Sequence, residues 1–245
     1  MKIAIAGKGG VGKTTITAIL SYLFSREGEV LAIDCDPSMN LALTLGVKDF
    51  KPLSELKDLI YERVGRGLIY KLNPKVDDVI EKYSVRNEDG IKVLVLGTIE
   101  KGGEGCFCPE SAFLRAVLRH AILKSDYLLM DMDAGIEHLG RGTARGVDVM
   151  LAVVEPNVKS ILTAKKIERL ARDIGIERVY FVLNKDRGFE VGDLKFVAKI
   201  PFDERIIEAD LKGIPPYKVC NLKPFERLKD FLTSVSPAQS HHDQI

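Results

Sequence analysis

The chain contains no tryptophan, only four cysteines in 245 residues, and almost no excess of charge of either sign. Its 36 lysines and arginines balance 35 aspartates and glutamates, so a net charge of +1 gives no overall attraction to nucleic acid or to anionic lipid. No apolar run approaches the roughly 20 residues that a membrane-spanning helix needs. The N-terminus enters an apolar strand at once, without a signal-peptide pattern. We therefore expect a cytoplasmic protein that binds neither nucleic acid nor membrane.

What is present is a composition typical of a folded domain, with 46% hydrophobic and 29% charged residues. Apolar runs alternate with helix-like segments, a pattern that favours a parallel sheet covered by helices on both faces. We predict one doubly wound α/β domain over residues 1–235, with a mostly parallel sheet of about seven to eight strands. A polar tail is expected over 236–245.

The predicted strands are Ile3–Ala6, Val30–Asp34, Ile91–Leu96, Tyr127–Asp131, Val147–Val154, Val179–Leu183 and Phe196–Ile200. The predicted helices are Lys13–Arg26, Ser54–Arg63, Glu110–Leu123, Val158–Ile174 and Pro224–Leu232. The polar stretch Tyr70–Asn87 has no clear period and receives no assignment.

A glycine-rich loop follows the first strand directly and reads Gly7-Lys8-Gly9-Gly10-Val11-Gly12-Lys13-Thr14-Thr15. Backbone N–H groups of such a loop converge on phosphate oxygens, and the positive end of the following helix adds to the attraction. Lys13 is expected to reach the β- and γ-phosphates, and the Thr14 hydroxyl to coordinate Mg²⁺. The loop predicts a nucleoside triphosphate site, with ATP or ADP and Mg²⁺ as ligands.

A dinucleotide-binding fingerprint is the rival interpretation of the same residues. Gly7, Gly9 and Gly12 satisfy G-x-G-x-x-G, and Asp34 follows about 20 residues later at a strand end. The Lys13-Thr14 pair and a second acidic strand end at Asp131 favour the triphosphate interpretation.

Acidic residues follow two predicted strands, at the sheet edge where ligands bind in open α/β folds. Asp34 and Asp36 follow the second strand, where a carboxylate can hold a magnesium-bound water or polarise the attacking water. Asp131 ends the apolar run Leu128–Met130 in a Walker B pattern that binds Mg²⁺. Gly135 permits a backbone N–H to approach the γ-phosphate.

The loop resembles the deviant Walker A motif of the SIMIBI-class ATPases, which include MinD, ParA, the arsenite pump and the nitrogenase iron protein. The resemblance implies that Lys8 reaches across a nucleotide-bridged homodimer to the partner's phosphates. It also implies that Asp36 positions or activates the hydrolytic water, so that Lys8, Lys13 and Asp36 carry catalysis.

The segment Val182–Lys185 resembles the base-reading segment of the same group, with Asn184 on the adenine and Lys185 beside it. Ile200–Asp203 resembles the following adenine-side loop, which implies a contact from Pro201. For Asn184, a turn residue at a strand end is the open alternative.

Two cysteines separated by one residue, Cys106 and Cys108, lie in a loop crowded with glycines. They can chelate one metal ion but cannot fill a four-coordinate shell, and a twofold-related subunit can supply the other pair. Such a Cys₄ site suits Zn²⁺ tetrahedrally or Ni²⁺ in a square plane. A pair of small buried apolar residues or a redox-active disulfide are the alternatives. Cys35 and Cys220 are expected to be structural.

The loop, the cysteine pair and the run Asp131–Gly142 together resemble the CooC-type carbon monoxide dehydrogenase maturation factors. The resemblance implies a dimeric ATPase, bridged by ATP, by metal or by both, that delivers nickel to carbon monoxide dehydrogenase. The resemblance also implies that Asp34 and Asp36 belong to a first nucleotide-sensing switch and Asp131–Gly135 to a second. His138, within the run, is either a metal ligand or a residue that orders this second switch.

Two other functions remain open on sequence grounds. An electron-transfer ATPase like the nitrogenase iron protein holds an Fe–S cluster across its dimer, but here the second switch carries no cysteine. A spatial-organisation ATPase of the MinD or ParA type ends in a basic amphipathic helix, whereas Phe225–Thr233 balances its charges and is expected to pack on the domain.

Overall fold

The strands of the described residues form one sheet of eight. The computed structural model describes residues 1–65, 71, 73–97, 109–133 and 144–235. Its strands are β1 (Lys2–Gly7), β2 (Val30–Asp34), β3 (Val85–Arg86), β4 (Lys92–Val95), β5 (Tyr127–Asp131), β6 (Val149–Val154), β7 (Val179–Asp186) and β8 (Phe196–Pro201). Their spatial order is β3-β4-β2-β5-β1-β6-β7-β8, and the short edge strand β3 runs antiparallel to β4 while the other pairings are parallel. The predicted doubly wound α/β fold is confirmed.

Helices cover both faces of the sheet. They are α1 (Lys13–Ser25), α2 (Asn40–Thr44), α3 (Lys57–Val64), α4 (Val79–Tyr83), α5 (Pro109–Lys124), α6 (Val158–Asp173), α7 (Glu204–Leu211) and α8 (Lys223–Val235), with 3₁₀ turns at Leu53–Glu55 and Pro216–Lys218. The predicted helices are all present within a few residues, whereas α2, α4, α7 and strand β3 were not predicted. Three of these four span five residues or fewer, which is too short to show a helical or strand period.

Alternate residues of the strands point to opposite faces of the sheet and pack into two hydrophobic layers. Ile3 and Ile5 of β1 point to the layer that α1 and α8 cover, whereas Ala4 and Ala6 point to the layer that α5 and α6 cover. Helix α8 buries Phe225, Leu228 and Leu232 in the first layer, so the prediction that this helix packs on the domain is confirmed. None of the described helices is long and apolar enough to cross a membrane.

The strand order places two acidic strand ends next to the glycine-rich loop. Strand β5 lies between β1 and β2, and Asp131 pairs in register with Ile5 on one side and Asp34 on the other. Because the strands are parallel, their carboxyl ends meet at one edge of the sheet, where β1 continues into the loop.

Candidate nucleotide-binding site

The turn from the loop into α1 requires a glycine at position 12. Gly12 adopts φ 94° and ψ 29°, a left-handed conformation, and its carbonyl accepts the first helical hydrogen bond from the N–H of Ile16 at 3.1 Å. A Cβ atom on Gly12 would lie 2.4 Å from Nδ2 of Asn184. Both the backbone conformation and the lack of space therefore disfavour a side chain there.

Two consecutive side chains of β7 hold two consecutive carbonyls of the loop. Nδ2 of Asn184 donates to the Val11 carbonyl at 2.8 Å, and Nζ of Lys185 donates to the Gly10 carbonyl at 2.6 Å. In a trans peptide the C=O and the following N–H point in opposite directions. The N–H of Gly12 therefore points away from Asn184.

Beside the loop lies a cleft of about 890 Å³, large enough for a nucleotide. Eight residues predicted for the site line it, namely Gly9, Gly10, Gly12, Lys13, Thr14, Thr15, Asp36 and Lys185. Gly7 ends β1, and Val11 is buried beneath the loop. Lys13 is itself buried at the start of α1, where the helix has unpaired N–H groups.

Asp131 connects β5 to α1 and keeps one oxygen unused. Its Oδ2 accepts a hydrogen bond from the Thr14 hydroxyl at 2.6 Å, whereas Oδ1 is buried with no partner among the residues that the structure describes. Burial raises the pKa of Asp131 to about 7. A buried carboxylate oxygen beside a hydroxyl is a hard donor set that fits Mg²⁺.

Asp34 is equally buried, but both of its oxygens are already used. Oδ1 accepts the N–H of Asp36 at 3.0 Å and Oδ2 accepts the N–H of Leu41 at 2.8 Å. Burial raises the pKa of this carboxyl to about 6. Asp34 therefore shapes the turn after β2, and of the two carboxylates Asp131 has the freer oxygen for a magnesium ion.

Asp36 and Lys8 differ in their relation to the cleft. Asp36 lines it, and Oδ1 of Asp36 accepts the Ser38 N–H at 2.9 Å. Lys8 does not line the cleft, and its ammonium has no hydrogen bond or ion pair within the described ranges.

Neither Asn184 nor Pro201 lines the cleft. Asn184 lies inside β7, so the alternative of a turn residue is wrong, and its contact with adenine stays a prediction. Pro201 lines a second pocket of about 300 Å³ together with Phe202 and Phe225. Ile206 lines both pockets.

Several predicted residues fall outside the described ranges. These are Gly135, Cys106, Cys108 and His138. Within the described ranges, no group of three or more His, Cys, Asp or Glu side chains could hold a metal ion.

Some residues that line the cleft were not predicted from the sequence. The outer wall is formed by Leu43 of α2 and by Ile207 and Ile214 around α7. Glu155 does not line the cleft but was missed as well. It follows β6 directly, and its Oε2 lies 3.3 Å from Nζ of Lys185, which does line the cleft. An acidic residue just beyond a strand of this sheet was the available signal.

Comparisons with known proteins agree with this geometry. A family model described as the CobQ/CobB/MinD/ParA nucleotide binding domain matches residues 2–216. An uncharacterised ATP-binding protein of Methanocaldococcus jannaschii is 48% identical, with 88% of this chain and 90% of that protein covered. The carbon monoxide dehydrogenase accessory protein CooC of Rhodospirillum rubrum is 42% identical, with 98% and 99% covered. The solved structure of the cell division ATPase MinD of Pyrococcus furiosus matches with a TM-score of 0.71 at 26% identity, covering 96% of this chain and 100% of that one.

Proposed function

This chain belongs to the CobQ/CobB/MinD/ParA nucleotide-binding family and is an ATPase, and from that premise we propose that it acts as a dimer that assists nickel insertion into carbon monoxide dehydrogenase. The observation that carries the proposal is the 42% identity to the accessory protein CooC over nearly the whole of both chains. The MinD structure shares the fold at a lower identity of 26%, so it is weaker support for a shared function than CooC is.

In the proposed site, ATP lies along the cleft with its phosphates on the loop. Lys13 and the N–H groups at the start of α1 bind the β- and γ-phosphates, because positive charge and unpaired donors converge there. The Thr14 hydroxyl and Oδ1 of Asp131 would hold Mg²⁺. When bound, the ion neutralises charge on the phosphate oxygens.

Hydrolysis then depends on positioning a water molecule and on neutralising charge. Asp36 lines the cleft, and in the proposal its carboxylate orients the attacking water. Lys8, which has no partner in its own subunit within the described ranges, contacts the phosphates of the second subunit. Closing the dimer and completing the site are thus one event.

The cargo is bound by Cys106 and Cys108 together with the same pair of the second subunit. Two thiolates from each chain give the four soft ligands that Ni²⁺ or Zn²⁺ takes. This part of the proposal rests on the sequence. Because the same twofold relation serves both the metal and Lys8, ATP binding and metal binding favour the same dimer.

The test is activation of a nickel-deficient carbon monoxide dehydrogenase by the purified protein with ATP and Ni²⁺. We expect carbon monoxide oxidation to appear with the parent and with Cys220→Ser, and to be absent with Asp36→Asn or with Cys106→Ser and Cys108→Ser together. Mass in solution should show a metal-dependent dimer for the parent, and the double serine variant should stay monomeric without nucleotide.

The outcome separates the alternatives. A brown protein with broad visible absorption would indicate a bridging Fe–S cluster and an electron-transfer role. Binding to lipid vesicles or DNA with ATP, without activation of the dehydrogenase, would indicate a spatial-organisation ATPase. If the double serine variant binds metal and dimerises as the parent does, the cysteine assignment is wrong.

A further inference from the structure

Glu155 lies directly beyond β6 and is fixed by its own contacts. Its backbone N–H donates to Oγ of Ser160 at 3.1 Å, and its Oε1 accepts from Nδ2 of Asn157 at 2.8 Å. Asn157 is the N-cap of α6 and accepts the N–H of Ser160 at 2.8 Å. The carboxylate of Glu155 is therefore held in one orientation by the start of a helix.

The other oxygen of this carboxylate faces the loop through Lys185. Oε2 of Glu155 lies 3.3 Å from Nζ of Lys185, which donates to the Gly10 carbonyl at 2.6 Å. Lys185 has φ 55°, a left-handed conformation that a lysine rarely adopts. The backbone is thus held in an unusual conformation at the point from which the ammonium reaches the loop.

A lysine alone is a poor device for fixing a loop. Its four-carbon stem is flexible and its ammonium is a strongly hydrated point charge, so it populates many conformations unless a partner restrains it. Glu155 is such a partner, and it is anchored on α6 and β6 rather than on the loop. The chain of contacts Asn157–Glu155–Lys185–Gly10 therefore connects the rigid sheet and helix to the phosphate loop.

We propose that Glu155 is a positioning residue for nucleotide binding, which holds Lys185 on the Gly10 carbonyl and so preorganises the loop before the nucleotide arrives. The inference rests on the nucleotide site proposed above. Preorganisation lowers the cost of ordering the loop on binding. Once ATP occupies the site its phosphates order the loop themselves, so the effect falls on affinity and on KM more than on kcat.

The test compares Glu155→Gln, Lys185→Met, the double variant and the control Glu168→Gln. Glutamine keeps an oxygen that can accept from Asn157 but removes the charge that faces Lys185. Glu168 is a carboxylate in an ion pair with Arg172 on the same helix, at 3.0 Å, and has no contact with the loop. Each protein is titrated with Mg·ADP, and ATP hydrolysis is measured across a range of ATP concentrations.

We expect Glu155→Gln to weaken Mg·ADP binding and raise KM by about fivefold, the size typical of a partly exposed ion pair, with kcat within about twofold of the parent. Lys185→Met should weaken binding at least as much, and the double variant should bind no more weakly than Lys185→Met. Glu168→Gln should bind as the parent does. The melting temperatures without nucleotide should agree for the parent and Glu155→Gln, because the helix cap is retained.

Two results would overturn the inference. One is unchanged Mg·ADP affinity of Glu155→Gln, and the other is an additive loss in the double variant, which would mean that Glu155 does not act through Lys185. If the parent itself fails to bind Mg·ADP, the proposed nucleotide site is wrong, and that failure is distinct from the other two.

Discussion

The hydroxyl of Thr14 donates to Oδ2 of Asp131 across 2.6 Å and so joins the first turn of α1 to the end of β5. These residues are 117 positions apart in the chain. The second oxygen of the same carboxylate is buried without a hydrogen-bond partner in the part of the chain that the structure describes. A buried, unpaired carboxylate oxygen is costly unless a cation or a proton satisfies it.

Stability of the metal-free protein should fall as the pH rises. Burial raises the pKa of Asp131 to about 7 and that of Asp34 to about 6, above the unfolded value of 3.8. The folded state then binds more protons than the unfolded state between about pH 4 and pH 7, so the free energy of unfolding decreases across that window. The free energy of unfolding can be measured by urea denaturation in EDTA at pH 5 and at pH 8. Between these two pH values it should decrease by on the order of 3 kcal/mol more for the parent than for Asp131→Asn. Equal decreases for the two proteins would show that the Asp131 carboxyl does not cause the pH dependence.

Removing the Thr14 hydroxyl should abolish most hydrolysis. Thr14→Ala deletes a proposed magnesium ligand and the partner of Asp131, and kcat should fall by about 100-fold or more. Thr14→Ser keeps the oxygen and should retain activity within about fivefold, since serine occupies this position of the motif equally well. Steady-state hydrolysis at saturating ATP is the measurement, and similar rates for alanine and serine would exclude Thr14 as a ligand.

Two glycines of the loop should respond differently to alanine. Both adopt a left-handed backbone, with φ 81° at Gly10 and φ 94° at Gly12, but only Gly12 has an atom of Asn184 within 2.4 Å of the Cβ position. Gly10→Ala should lower stability by about 1 kcal/mol, whereas Gly12→Ala should lower it by about 2 kcal/mol more and lose Mg·ADP binding.

Shortening the neighbouring side chain should relieve part of that clash. Asn184→Ala in the background of Gly12→Ala should recover some stability, because the Nδ2 atom that meets the new methyl group is gone. Thermal unfolding of the parent, Gly12→Ala, Asn184→Ala and the double variant measures the coupling between the two positions. Strictly additive effects would show that Asn184 does not constrain position 12.

Lys8→Ala should separate nucleotide binding from hydrolysis. Because Lys8 does not line the cleft of its own subunit, the variant should bind Mg·ADP within about threefold of the parent and keep its fold. Hydrolysis should fall to background, since the partner's phosphates lose their cation. Lys124→Ala, an exposed lysine at the end of α5, is the control and should hydrolyse ATP normally. Retained turnover in Lys8→Ala would remove the proposed role.

The long, fully buried strands and the loop could be predicted because each is specified by a short continuous stretch of sequence. An apolar run such as Val149–Val154 has one stable place in an α/β domain, and the spacing of Gly7, Gly12 and Lys13 is a motif in itself. Helix α7 was missed although Asp203 caps it, with its side chain accepting the N–H of Arg205. Two of its apolar residues, Ile207 and Leu211, are largely exposed, so the pattern did not show a buried face.

Contacts between strand ends were beyond prediction for a different reason. The sequence suggested Lys185 only through resemblance and did not suggest Glu155 at all, because their pairing depends on the neighbouring positions of β6 and β7 in the sheet. Such partners follow from topology, which residue spacing does not encode.

The insertion of β5 between β1 and β2 has a consequence for the order in which the site can form. The loop, Asp34 and Asp36 all lie within the first 36 residues, yet β1 and β2 are not hydrogen-bonded neighbours and are held together by a strand that begins at Tyr127. During synthesis the N-terminal segment therefore emerges with its phosphate-binding residues but without the strand that aligns them. The alignment of β1 with β2 and the hydrogen bond from Thr14 to Asp131 therefore form only after residues 127–131 have been synthesised, so an N-terminal fragment that ends before Tyr127 lacks both.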